Sequence, residues 1–176
     1  MKEFVTDAIV LGVRPRGSDR VADLLTPALG RLEARMVAGR AIVSKFSPHC
    51  DPPSLVTVRL VKKIRYTLAD AVGKSRFARV RRTPSTFGAA LGALFAIRAL
   101  APKEVPDARL FYGVRRALES GQLTARDVLP MLGYDPAEAR CVRCRAPAIR
   151  FFIPADGVFV CSACVAGRGD EVLLNV

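Results

Sequence analysis

Four cysteines constrain this chain more than any other feature. Cys141-Val142-Arg143-Cys144 and Cys161-Ser162-Ala163-Cys164 are two C-x2-C pairs with sixteen residues between them. That spacing lies within the range of a four-thiolate zinc site. A C-x2-C turn sets two sulfurs on one side of a metal, and the chain must then return to bring the second pair to the other side. The intervening residues supply that return. Phe151-Phe152-Ile153 and Val158-Phe159-Val160 flank Pro154-Ala155-Asp156-Gly157, which predicts a hairpin with an Asp-Gly turn. Cys141, Cys144, Cys161 and Cys164 are therefore expected to hold one structural zinc ion, with Arg140, Arg143 and Arg145 helping to stabilise the thiolates. Paired disulfides would need an oxidising compartment that nothing else in the sequence supports. A thioredoxin-like redox site needs one C-x-x-C in a βαβ setting, and there is none.

Charge is the second constraint. The 176 residues carry 28 Lys plus Arg against 16 Asp plus Glu, a net +12. Seventeen of those basic residues and only seven of the acidic ones precede Thr83, so the N-terminal half holds nearly all of the excess. Such an imbalance points to a polyanion partner for that half. Met1-Lys2-Glu3-Phe4 followed by Asp7 does not read as a targeting segment. The longest uncharged run, Thr83 to Ile97, is below the roughly 20 residues needed to span a bilayer. A soluble, cytoplasmic protein is the expectation.

Periodicity divides the chain into pieces. Residues 1–73 read as short strands between turns: Phe4 to Val13, Val21 to Thr26, Arg31 to Ala38, and two more from Leu55 to Leu68 joined near Lys62-Lys63. Leu32, Ala34, Met36 and Ala38 share one face, with Arg31, Glu33 and Arg35 on the other. Val56, Val58 and Leu60 form a second apolar row, and Ile64, Tyr66 and Leu68 a third. Five short strands with an Arg-rich solvated face suit an OB-fold-like nucleic-acid-binding barrel; an SH3-like barrel or a small open sheet would give much the same pattern. Residues 74–82 are a basic connector. Residues 83–139 turn helical, with Phe87, Leu91, Leu94 and Phe95 on one stripe and Leu110, Phe111, Val114 and Leu118 on the next. Thr124, with Asp127 three residues on, caps a short third helix. Residues 140–176 are the four-cysteine hairpin and a short tail. The fold class expected is α+β: an N-terminal OB-fold-like β-barrel, then a small α-helical domain carrying the zinc hairpin.

No catalytic arrangement emerges. His49, the only histidine, sits beside Cys50 in a Pro-rich loop without a second partner for a nucleophilic pair. Neither a G-x-x-x-x-G-K-[ST] segment nor a strand followed by G-x-G-x-x-G is present. A closed four-thiolate site has no open coordination position for hydrolysis. The expectation is a protein that is not an enzyme.

Several segments taken together resemble a known family. Asp7-Ala8-Ile9-Val10-Leu11-Gly12, then Arg16-Gly17-Ser18-Asp19-Arg20, then Leu24-Leu25-Thr26-Pro27-Ala28-Leu29-Gly30-Arg31-Leu32 look like the opening of the bacterial recombination mediator RecO family. Gly39-Arg40 and Ser44-Lys45 fall where that family has a basic loop, and Leu132-Gly133-Tyr134 ahead of Cys141 is similar to its transition into the cysteines. Family members continue past the cysteines with further helix, so this sequence resembles a short form. The resemblance implies DNA repair and homologous recombination: binding of single- and double-stranded DNA, annealing of complementary strands, and help in loading recombinase on protein-coated strands. The partners it implies are RecR, the single-strand-binding protein and, indirectly, RecA. From the residues themselves, phosphate contacts are expected from Arg14, Arg16, Arg20, Arg31, Arg35, Arg40, Lys45, Lys62, Lys63 and Arg65. With only Phe4, Phe46, Tyr66 and Phe77 as aromatic platforms in that half, binding should be backbone-dominated. Two other readings stay open: an RNA-binding or ribosome-associated zinc-ribbon protein, and a zinc-stabilised protein adaptor.

Overall fold

A fifteen-residue first strand organises the N-terminal half of the protein. The structure, a computed structural model, describes residues 1–37, 50–166 and 174–176. β1 (Lys2–Arg16) pairs antiparallel with β4 (Ser54–Lys62) along its first part and with β2 (Asp19–Thr26) along its second. Its register shifts between Val10 and Gly12, where it exchanges one partner for the other. β2 continues into β3 (Gly30–Met36), and β4 into β5 (Tyr66–Ser75). The strand order is β1-β2-β3-β5-β4, and the ring closes through a parallel contact of β3 with β5 over only two residue pairs, Ala34 with Tyr66 and Arg35 with Thr67.

Alternation along the strands serves two cores. Ala8, Val10, Ala22, Leu24, Leu32, Ala34, Met36, Val56, Val58, Leu60, Tyr66 and Leu68 fill the interior of the sheet. Ile9, Leu11, Leu25 and Leu55 point outward and join the helices in a second core. The OB-fold-like barrel expected from the sequence is corrected by this arrangement. The five strands form a mixed sheet whose one parallel seam spans only two residue pairs, and one outer face is shared with the helical layer. The third apolar row is corrected too: Tyr66 and Leu68 are interior, but Ile64 lies in the loop after β4 and is 94% exposed. Residues 74–82, read as a connector, comprise the end of β5, a link and the 3-10 turn Val80–Arg82.

The helices follow their caps. Thr83 caps α1 (Pro84–Leu100), accepting the Thr86 N–H at 3.2 Å, with Pro84 in the first turn. In α1, Ala90, Ala93, Leu94, Ala96 and Ile97 are fully buried, whereas Phe87 and Phe95 are only partly so. Asp107 caps α2 (Ala108–Ser120), which ends on Gly121 in the left-handed region. Thr124 and Asp127 form the capping box of α3 (Ala125–Val128). The C-terminal sheet has the order β7 (Val158–Val160), β6 (Phe151–Ile153), β8 (Leu174–Asn175). Phe152, Phe159 and Leu174 seat it on the helical core. No helix among the described residues is long and apolar enough to cross a membrane.

The loop between α1 and α2 is stitched back to the sheet. Glu104 N–H donates to Arg31 O at 2.8 Å, and Arg31 bridges to Lys103 in parallel. Gly30 makes this approach possible. Its φ is +68°, and a Cβ there would lie 1.9 Å from Val105 O.

Candidate metal centre and basic groove

Each C-x2-C segment folds into a tight turn closed by a backbone hydrogen bond. Arg145 N–H donates to Cys141 O at 2.9 Å, and Cys164 N–H to Cys161 O at 3.2 Å. The β6–β7 hairpin holds the two turns face to face. Val142 N–H donates to Phe159 O at 3.0 Å, and Gly157, at φ +66°, makes the hairpin turn that the Asp-Gly pair predicts. Cys141 and Cys161 are buried with Ile153 and Val160, Cys164 is half-buried against them, and Cys144 is exposed. All four sulfurs lie within 4.8 Å of one another, and Cys144 Sγ is 3.7 Å from Cys161 Sγ. A tetrahedron with metal–sulfur bonds of about 2.3 Å has edges of about 3.8 Å, so the donor set fits one zinc ion. The backbone N–H of Cys144, then that of Cys161, brings the Cys141 thiol down to about 6. Hydrogen bonding to the sulfurs of Cys144 and Cys161 pushes the Cys164 thiol up to about 12, as sulfurs sharing protons in a small space must. The cluster is positioned to chelate a single structural metal ion, consistent with zinc. Arg143 also donates to Cys164 O at 3.3 Å, tying the turns together.

The basic residues of the sheet divide by environment. Arg31 is buried at 8% exposure; its Nε donates to Ala101 O at 2.9 Å and its Nη1 lies 3.6 Å from Asp23. It joins sheet to helices and cannot meet a phosphate. Asp23, 1% exposed, is held between Arg31 and Arg14, and burial raises its carboxyl above the usual range. Arg14 also pairs with Glu33 at 3.0 Å, Arg35 with Asp19, and Lys62 with Glu104. Arg16, Arg20, Lys63 and Arg65 are exposed and have no carboxylate partner among the described residues. Arg40 and Lys45 lie outside the described residues.

Three of those four exposed cations, Arg16, Lys63 and Arg65, converge with Arg35 and Lys103 on one groove of about 830 Å³ beside the β3–β5 seam. Two carboxylates line it, and both are engaged. Glu33 is bound by Lys103 at 2.6 Å and by Arg14; the hydrogen bond from Lys103, above all, holds its carboxyl below the ordinary range. Glu104 is held by Lys62. Lys103 was not among the residues expected from sequence, because it belongs to the helical piece. Only the pairing of its loop with Arg31, across a large separation in the chain, brings it to the groove. Aromatic platforms are scarcer than the sequence suggests: Tyr66 and Phe77 are buried, Phe4 is half-buried against Tyr66, and Phe46 lies outside the described residues.

No protein-family model matches this chain, and no curated protein matches it. Neither comparison supports the DNA-repair and recombination terms that the RecO-like segments imply, and the structure corrects the OB-fold description. The fold in hand is a mixed sheet sharing a core with helices, and the metal cluster is the part of the description that stands.

Proposed function

We propose that this protein is a non-enzymatic, zinc-stabilised nucleic-acid-binding protein that grips its ligand by the phosphate backbone. The observation that carries the reading is the groove beside the β3–β5 seam, where Arg16, Lys63 and Arg65 face solvent without a carboxylate partner among the described residues. Cations left unpaired on one concave surface concentrate positive potential there, and a chain of phosphates offers the matching repeat. The shallow wall offers little exposed aromatic surface, which favours contacts to phosphate and sugar over base recognition by stacking. The metal module contributes a rigid end to the shared helical core rather than chemistry, because four thiolates complete the coordination shell.

Binding to fluorescently labelled single-stranded DNA and RNA of equal length, in competition, tests the reading. Saturable binding that weakens steeply with salt is expected, and no binding at low salt would overturn it. The same experiment sorts the ligand. A preference for RNA would assign the zinc-ribbon RNA-binding class. A preference for DNA, with complementary strands annealed faster than they pair alone and without added nucleotide, would assign the strand-pairing activity that the RecO-like segments imply. The implied protein partners, RecR, the single-strand-binding protein and RecA, would become proposals worth testing only after that second outcome.

A further inference from the structure

The loop between β4 and β5 has an unusual tip. Lys62 pairs with Tyr66, so the turn is made by Lys63-Ile64-Arg65 alone, with Lys63 N–H directed at Arg65 O at 3.4 Å. Turn tips are ordinarily occupied by Gly, Asn, Asp, Ser or Pro, each for a conformational reason. A β-branched residue has no such reason to be there. Ile64 is nevertheless 94% exposed, the most exposed among the large apolar residues described, and it lines the groove between two unpaired cations. A residue that breaks the local rule without a packing gain is expected at a functional site.

We infer that Ile64 is a base-contacting residue: while Lys63 and Arg65 hold flanking phosphates, its side chain presses against a nucleobase and opens the stack beside it. The inference rests on the nucleic-acid reading above and specifies how the groove touches the ligand. Two features set the geometry. Cations on either side of the apolar tip match phosphates on either side of one nucleotide, so a strand held by both places a base over Ile64. Tyr66 and Phe77 are withdrawn as base contacts, since both are buried, Tyr66 under the Lys62 ammonium, which lies 4.6 Å from its ring centre. Aliphatic side chains inserted at a base step are an established way of unstacking nucleic acid.

The test uses the full chain and a single-stranded oligonucleotide carrying two adjacent 2-aminopurines, made once as DNA and once as RNA. Their fluorescence is quenched by stacking and rises when a side chain separates them. Wild-type protein should brighten the probe at saturation. Ile64→Ser should lose most of that brightening and bind about fivefold more weakly, the scale of one lost aliphatic contact, with the slope of affinity against salt unchanged. Ile64→Phe should restore the signal. Lys63→Gln with Arg65→Gln should do the reverse, reducing the salt slope. Because the loop makes no core contact, none of these changes should alter the melting temperature. Wild-type brightness and affinity in Ile64→Ser would overturn the inference while leaving the nucleic-acid reading intact. A wild-type protein that does not bind either probe would overturn both.

Discussion

In the metal module four side chains converge on one point, every donor within 4.8 Å of the others. In the sheet, eight described basic candidates are spread over several strands, and the fold divides them among three tasks. Arg31 is a buried tie between layers, Arg14, Arg35 and Lys62 are held by carboxylates, and Arg16, Arg20, Lys63 and Arg65 are exposed with no carboxylate partner among the described residues. The difference lies in the chemistry. Four thiolates at C-x2-C spacing have few stable uses besides a metal, so sequence spacing alone implies geometry. An arginine serves equally as a strut, a counter-ion or a phosphate contact, and only its neighbours decide which.

The sharpest way to break this comparison is to remove a convergent residue and a dispersed one in turn. Cys161→Ser, or a strong chelator, should take metal content from one ion per chain to none and unfold the β6–β7–β8 sheet. A structural zinc can carry about 10 kcal/mol or more of binding free energy. Elemental analysis with a thermal melt checks this; Cys50→Ser, at a buried thiol remote from the cluster, should keep the metal.

The strut comes next. Arg31→Gln leaves Asp23 buried beside one weak partner, and breaking such a pair costs about 3 kcal/mol. Denaturant melts should show that loss, and the salt slope of nucleic-acid binding should not change. Gly30→Ala tests the same seam from the backbone side. The positive φ and the approach of Val105 O require the α1–α2 loop to move, at a cost of about 3 kcal/mol, and with the loop goes the Lys103 contact to the groove.

How far these features were legible in the sequence follows the same division. The cysteine cluster, the Asp-Gly hairpin and the Thr124 capping box could be read because each depends on residues close in the chain. The inward rows Leu32-Ala34-Met36 and Val56-Val58-Leu60 were equally visible in their period of two. The burial of Arg31 was not, since its partners Ala101 and Asp23 come from other elements. On α1 the stripe read from sequence is half right: Leu94 is fully buried, but Phe87, Leu91 and Phe95 are only partly so, and Ala90, Ala93, Ala96 and Ile97 fill the rest of the core face. Lys103 and the parallel β3–β5 seam depend on long-range pairing that no local pattern encodes.

The smallest expected effect concerns acid. Lys103 lowers the Glu33 carboxyl in the folded protein. A carboxyl with a depressed folded-state value contributes stability that is complete above its unfolded value and is lost as pH falls through the folded one. Melting temperature should therefore decline below the ordinary glutamate range, and Lys103→Gln should flatten part of that decline.

The decisive point is that the unpaired cations of the groove, Arg16, Lys63 and Arg65, touch phosphate while the buried and paired ones hold the fold. It is tested most directly by the slope of log affinity against log salt, for single-stranded ligand, in Arg16→Gln/Lys63→Gln/Arg65→Gln. Each lost phosphate contact should reduce the slope by about 0.7, so the triple variant should fall by about 2 while melting as wild type does. An unchanged slope in a folded triple variant would contradict the claim.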